Sequence, residues 1–88
     1  MRLDKFLKVS RLIKRRTLAK EVSDQGRILV NGVQAKASTN VKEGDELTIR
    51  FGQRIVTVRI DSIKETSKKE EAAEMYTTLK DERISEGV

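Results

Sequence analysis

The sequence contains no cysteine, no histidine and no proline. Without cysteine there is neither a disulfide framework nor a thiolate zinc site. Without histidine the commonest metal ligand and general base is missing. Aromatics are scarce: Phe6, Phe51 and Tyr76 are all there is. Phe6 and Phe51 fall in apolar patterns and read as core, which gives little support to a base-stacking platform for single-stranded nucleic acid. No apolar run approaches the ~18 residues of a membrane span, and none resembles a secretory signal, so the expected location is the cytoplasm, with no membrane partner. The 88 residues suit one small domain and have no room for a catalytic domain. Nor is there a glycine-rich phosphate loop. The expectation is a monomeric binding protein, not an enzyme, with no cofactor and no metal.

What the chain does have is positive charge, unevenly placed. Residues 1–60 carry 14 Lys/Arg and 6 Asp/Glu, while residues 61–88 carry 5 and 8. Eight of the bases lie in residues 1–20: Arg2, Lys5, Lys8, Arg11, Lys14, Arg15, Arg16 and Lys20. The same stretch holds a single acid, Asp4. A basic head on a small fold is the electrostatic footprint of a nucleic-acid binder.

Leu3, Phe6, Leu7 and Ser10 recur at helical spacing, which predicts a first amphipathic helix over 2–10. Arg2, Lys5 and Lys8 lie largely off its apolar stripe. Residues 11–14 read as a connector. A second helix is expected over 15–25, with Leu18, Ala19 and Val22 facing inward and Gly26 closing it. Asn31-Gly32 between apolar runs signals a hairpin, with strands at 27–30 and 33–36. Gly44-Asp45 supplies a further turn, and strands at 46–51 and 54–60 flank Gly52-Gln53. Near residue 64 the composition turns acidic. Ser67 and Glu70 have capping-box spacing, and Ala72, Met75, Tyr76 and Leu79 extend a helical stripe to about residue 80. The expected fold class is α+β: two N-terminal helices on a small antiparallel sheet, plus a C-terminal helical tail. Residues 1–63 form the binding domain, and 64–88 form an acidic helix with a frayed end.

One local feature runs against folding economy. Lys14, Arg15 and Arg16 cluster where the second helix starts. A helix start carries about half a positive charge and unpartnered N–H groups, so acids belong there. An anion at that point resolves the conflict, because a phosphate accepts the N–H groups while arginines clasp its oxygens. The alternative is that the side chains extend into water. Asp4 reads as structural: an acid near the first helix start, or one that orients Arg2 or Arg16. Two short helices also suit a DNA-binding helix-turn-helix, but the hairpins that follow favour RNA.

The segments Arg2-Leu3-Asp4, Leu7 to Arg11, Arg16-Thr17, Gly26 through Gly32, Lys36-Ala37-Ser38 and Gly44-Asp45 resemble the RNA-binding domain of small-subunit ribosomal protein S-four, the alpha-L motif. The resemblance covers residues 1–60. Arg15 departs from it, standing where many members carry a small polar residue. It implies an alpha-L RNA-binding fold, with Arg2 and Arg16 as primary phosphate contacts. Arg11, Lys14, Arg15 and Lys20 extend that surface, and Lys5, Lys8 and Lys36 lie within reach of it. A copy of this domain with a short acidic tail is similar to the heat-shock-protein-fifteen family, and within it to the short ribosome quality control members. That resemblance implies large-subunit rRNA and peptidyl-tRNA as partners, beside a protein that extends the nascent chain with a C-terminal alanine tail. The other family role it allows is a general heat-shock or ribosome-assembly factor on large-subunit rRNA.

Overall fold

The first helix, α1 (Leu3–Val9), buries Leu3, Phe6 and Leu7, and its C-cap Ser10 is buried beside them, so all four positions the spacing selects face inward. The computed structural model describes residues 1–65 and 68–83. No side chain among the described residues caps α1. Its leading N–H groups donate instead to backbone carbonyls, Leu3 to Thr39 at 2.8 Å and Asp4 to Ala37 at 3.2 Å. Met1 and Val41 exchange a backbone bond of 2.8 Å, and Arg2 bridges Asn40. The first residues are thus sewn to the 37–41 segment.

α1 closes through Arg11, which takes the left-handed conformation at φ 62°. Its N–H donates to the Lys8 carbonyl at 3.0 Å, and that of Ile13 donates to Leu7 at 3.1 Å. A side chain at positive φ costs about 1 kcal/mol, which the buried anchor of Ile13 offsets. The second helix, α2 (Arg16–Asp24), buries Ala19 and Ser23 and half-buries Val22. Leu18 was expected to face inward, but it is 49% exposed. The buried stripe is narrow, and Leu18 lies about 100° round the helix from Ala19. Gly26 ends α2 at φ 76°.

β1 (Ile28–Val30) and β2 (Val33–Gln34) form the expected hairpin, with Asn31 and Gly32 both at positive φ. β2 is two residues shorter than its pattern. Beyond it the chain departs to bury Ala35 and Ala37 against the helices. The Asn31 side chain locks the hairpin to the next turn, donating to Asp45 Oδ1 at 3.1 Å and accepting from the Glu46 N–H at 2.9 Å. β3 (Glu46–Phe51) and β4 (Arg54–Ile60) match the sequence pattern. Val56, Val58 and Ile60 face the core beside Leu47, Ile49 and Ile28, under the helices.

The tail differs from the helix expected over 67–80. One helical turn, α3 (Lys69–Ala72), precedes an eight-residue strand, β5 (Tyr76–Arg83). Ser67 lies outside the described residues. The observed start is Lys68, whose N–H donates to Glu71 Oε2 at 3.3 Å. β5 pairs antiparallel with β4 and completes a sheet of order β2-β1-β3-β4-β5. The run Tyr76-Thr77-Thr78 favours strand, and the open edge of β4 offers it a ladder of donors and acceptors. Those tertiary bonds override a weak helical stripe. Met75, at the entry to β5, is fully buried in the core. The result is a small α+β fold with a five-stranded antiparallel sheet.

The pH response of this fold follows from its carboxylates. Hydrogen bonds from the Thr77 hydroxyl and from Arg59 hold the Asp61 carboxyl below its ordinary range. A hydrogen bond from Arg54 does the same for Asp81. Each group has a folded pKa below its unfolded one. Its stabilising contribution is therefore present above the unfolded value, near 4, and is lost as pH falls through the lower folded value. With no histidine to titrate, thermal melts should give a level midpoint from about pH 5.5 to 7 and a falling one below about pH 4. A midpoint that moves steeply near pH 6.5 would contradict this.

A candidate RNA interface

The starts of both helices converge on one carboxylate. Arg2, the N-cap of α1, donates from Nε to Asp4 Oδ1 at 3.2 Å and from Nη2 to Oδ2 at 3.3 Å. Arg16, the first residue of α2, brings Nε to 3.6 Å from the other face of the pair, Asp4 Oδ2. Asp4 itself is buried at 3% exposure, and its Oδ1 also accepts the Lys5 N–H at 2.8 Å. Both arginine side chains remain about half exposed, at 48% and 49%. Asp4 therefore holds one edge of the Arg2 guanidinium by two hydrogen bonds and draws the Arg16 guanidinium close as an ion pair, giving a ledge with both side chains half open to solvent. A planar guanidinium fork matches the oxygens of a phosphate bidentately. Side chains already held in place lose less rotamer freedom on binding.

The start of α2 carries bases and no acid. Arg15 is its N-cap, and no side chain caps the first turn among the described residues. Its leading N–H groups and the positive end of the helix lie at Arg16, one of the two ledge arginines.

The other candidate residues occupy neighbouring ground. Arg11, Lys14 and Arg15 lie on the connector and are exposed, and Lys20 is exposed one turn beyond Arg16 on α2. Lys8 is exposed at the far end of α1. Lys36 is exposed where its chain segment passes the start of α1, its N–H donating to Thr39 Oγ1 at 2.9 Å. Lys5 is half-buried and forms an ion pair with Glu65. The structure thus brings Arg2 and Arg16 together through Asp4 and spreads the rest around them. The Lys5–Glu65 pair spans 60 residues of sequence, and no local pattern signals it. The hydrogen bond from Lys5 holds the Glu65 carboxyl below its ordinary range.

That pair masks one of the candidate cations. The change Glu65→Gln should strengthen RNA binding by roughly two- to fivefold, the scale of an exposed ion pair. Fluorescence anisotropy at moderate salt measures it; unchanged or weaker binding would place Lys5 outside the interface.

Comparison with known proteins identifies the family. Residues 1–47 match the S4 domain family. The chain is 73% identical over 86 residues to the RQC P-site tRNA stabilizing factor of Bacillus subtilis (strain 168), covering 98% of this chain and 100% of that one. It is 69% identical over 86 residues to the protein of the same name from Listeria innocua, covering 98% of this chain and 94% of the other. Among solved structures it resembles the trimeric Heat Shock Protein 15 of Vibrio cholerae with a TM-score of 0.83 and 34% identity, covering 90% of this chain and 81% of that chain.

Proposed function

This chain belongs to the S4 domain family, and on that premise we propose that it is a non-catalytic factor of ribosome quality control that grips folded RNA through the Arg2–Arg16 ledge. Its site is the large ribosomal subunit that still carries peptidyl-tRNA. There it contacts rRNA and tRNA together and steadies the tRNA while a second protein adds C-terminal alanines to the stalled chain. It acts as a cytoplasmic monomer, and the RNA-binding surface lies within residues 1–63. The observation that carries the reading is the convergence of two helix starts and two half-exposed arginines on the single buried carboxylate of Asp4. The names of the 73% and 69% identical relatives support the tRNA part of it. The target is recognised by backbone shape, since A-form RNA closes its major groove to side chains.

A tagged copy retrieved from cells tests the assignment. Large subunits should arrive without small subunits and with tRNA attached. Recovery of large subunits free of tRNA would favour the second reading, a general heat-shock or ribosome-assembly factor, which the likeness to Heat Shock Protein 15 supports. Recovery of no ribosomal material would overturn both. In vitro, neutralising about five phosphates should give a log–log salt slope of about −3 to −5. A flat salt response would remove the ledge as the seat of binding.

A further inference from the structure

The helices do not cover the whole inner face of the sheet. Where β3, β4 and β5 run out past the connector, a groove of about 430 Å³ opens. Its floor is apolar: Phe51, Val56 and the ring of Tyr76, with Leu12 as one wall. Its rim is polar. Thr78 lies exposed on β5, and Asp81 accepts from Arg54 Nε at 2.7 Å on the far side. Arg11, from the same basic connector that leads to Lys14, Arg15 and Arg16, stands at the mouth. The left-handed conformation of Arg11 is held by the closing turn of α1, so its position at the groove is built into the fold.

An apolar floor with two aromatic rings, a hydrogen-bonding rim and a cation at the entrance suits a flat heteroaromatic group joined to a phosphate. We propose that the groove receives one unpaired nucleobase of the RNA held by the adjacent ledge. This rests on the RNA-binding reading above and adds a second point of recognition to it. The base lies over Tyr76 and Phe51, its polar edge meets Thr78 and the Asp81 carboxylate, and Arg11 pairs with its phosphate. Arg11 at the groove lies on the connector that leads into Arg16 of the ledge, so a single strand passes from one to the other along it. The size fits: cavities of roughly 300–1,000 Å³ hold small organic groups. Base–aromatic stacking contributes about 1–3 kcal/mol per base, so a bulged RNA should gain on the order of tenfold.

The test uses the full chain and two RNA hairpins, one fully paired and one with a single bulged adenosine carrying the 2-aminopurine fluorophore. Wild-type protein should bind the bulged hairpin about tenfold more tightly and quench its fluorophore. Tyr76→Leu should erase that preference while leaving affinity for the paired hairpin unchanged. Thr78→Leu sits at an exposed strand position that tolerates the change, and it should do the same by narrowing the groove. Equal affinity for the two hairpins, or a bulge preference that survives both variants, would overturn the groove assignment and leave the ledge standing. Failure of wild-type protein to bind either hairpin would overturn the ledge and the groove together.

Discussion

Replacing Arg16 with alanine should weaken binding to structured RNA by about tenfold or more and leave the fold intact. A hydrogen bond to a charged group contributes roughly 1.5–3 kcal/mol, and a half-exposed arginine realises the lower part of that range. The fold survives because Arg16 is surface-lying and Asp4 keeps its two bonds from Arg2 and its bond from the Lys5 N–H. Arg16→Lys should fall between, since a point charge replaces a planar fork. Anisotropy titrations at fixed salt, alongside thermal melts, make the comparison. The decisive pattern is lost affinity with an unmoved melt. Unchanged affinity in Arg16→Ala would remove the helix-start ledge from the interface, whatever the remaining bases do.

Deleting residues 67–88 should unfold most of the protein at 37 °C. The segment contains Met75 at 0% exposure and Ala72 at 2%. It also contains β5, which runs against the whole of β4. Loss of Met75 alone is a large-to-small core change of about 2–5 kcal/mol. A domain of 88 residues has roughly 4–13 kcal/mol in all, so the whole deletion removes most of it. It also bares the β4 edge, a template for aggregation. Far-ultraviolet circular dichroism with urea titration measures the outcome, and Met75→Ala in the full chain provides the graded version. A truncated chain that stays folded and binds RNA but no longer recruits a protein partner would show that this segment is an appendage made for docking.

Much of the first 60 residues is legible in the sequence because local and global signals agree there. The spacing of Leu3, Phe6, Leu7 and Ser10, the Asn31-Gly32 turn and the alternation of Val56, Val58 and Ile60 each name a buried face, and the core forms from those faces. The bases at the start of α2 stand out because they contradict helix electrostatics. The tail is a harder case. Ala72 and Met75 are buried at helical spacing, yet the chain extends straight after them. What decides its state is the unpaired edge of β4, a neighbour in space that no window of residues 67–83 contains. Leu18 misled for a related reason: its apolar side chain promises burial, while α2 presents only the stripe of Ala19, Val22 and Ser23 to α1. The groove and the Lys5–Glu65 pair likewise join residues far apart in the chain.

The backbone bond between Met1 and Val41, with the Met1 amine 3.5 Å from the same residue's carbonyl, has a practical result for anyone handling the molecule. Any peptide fused ahead of Met1 must emerge beside Arg2, next to the proposed phosphate ledge. Purification handles there will compete with the nucleic acid they are meant to help capture, and an acidic handle will compete hardest. The opposite terminus is the place for them.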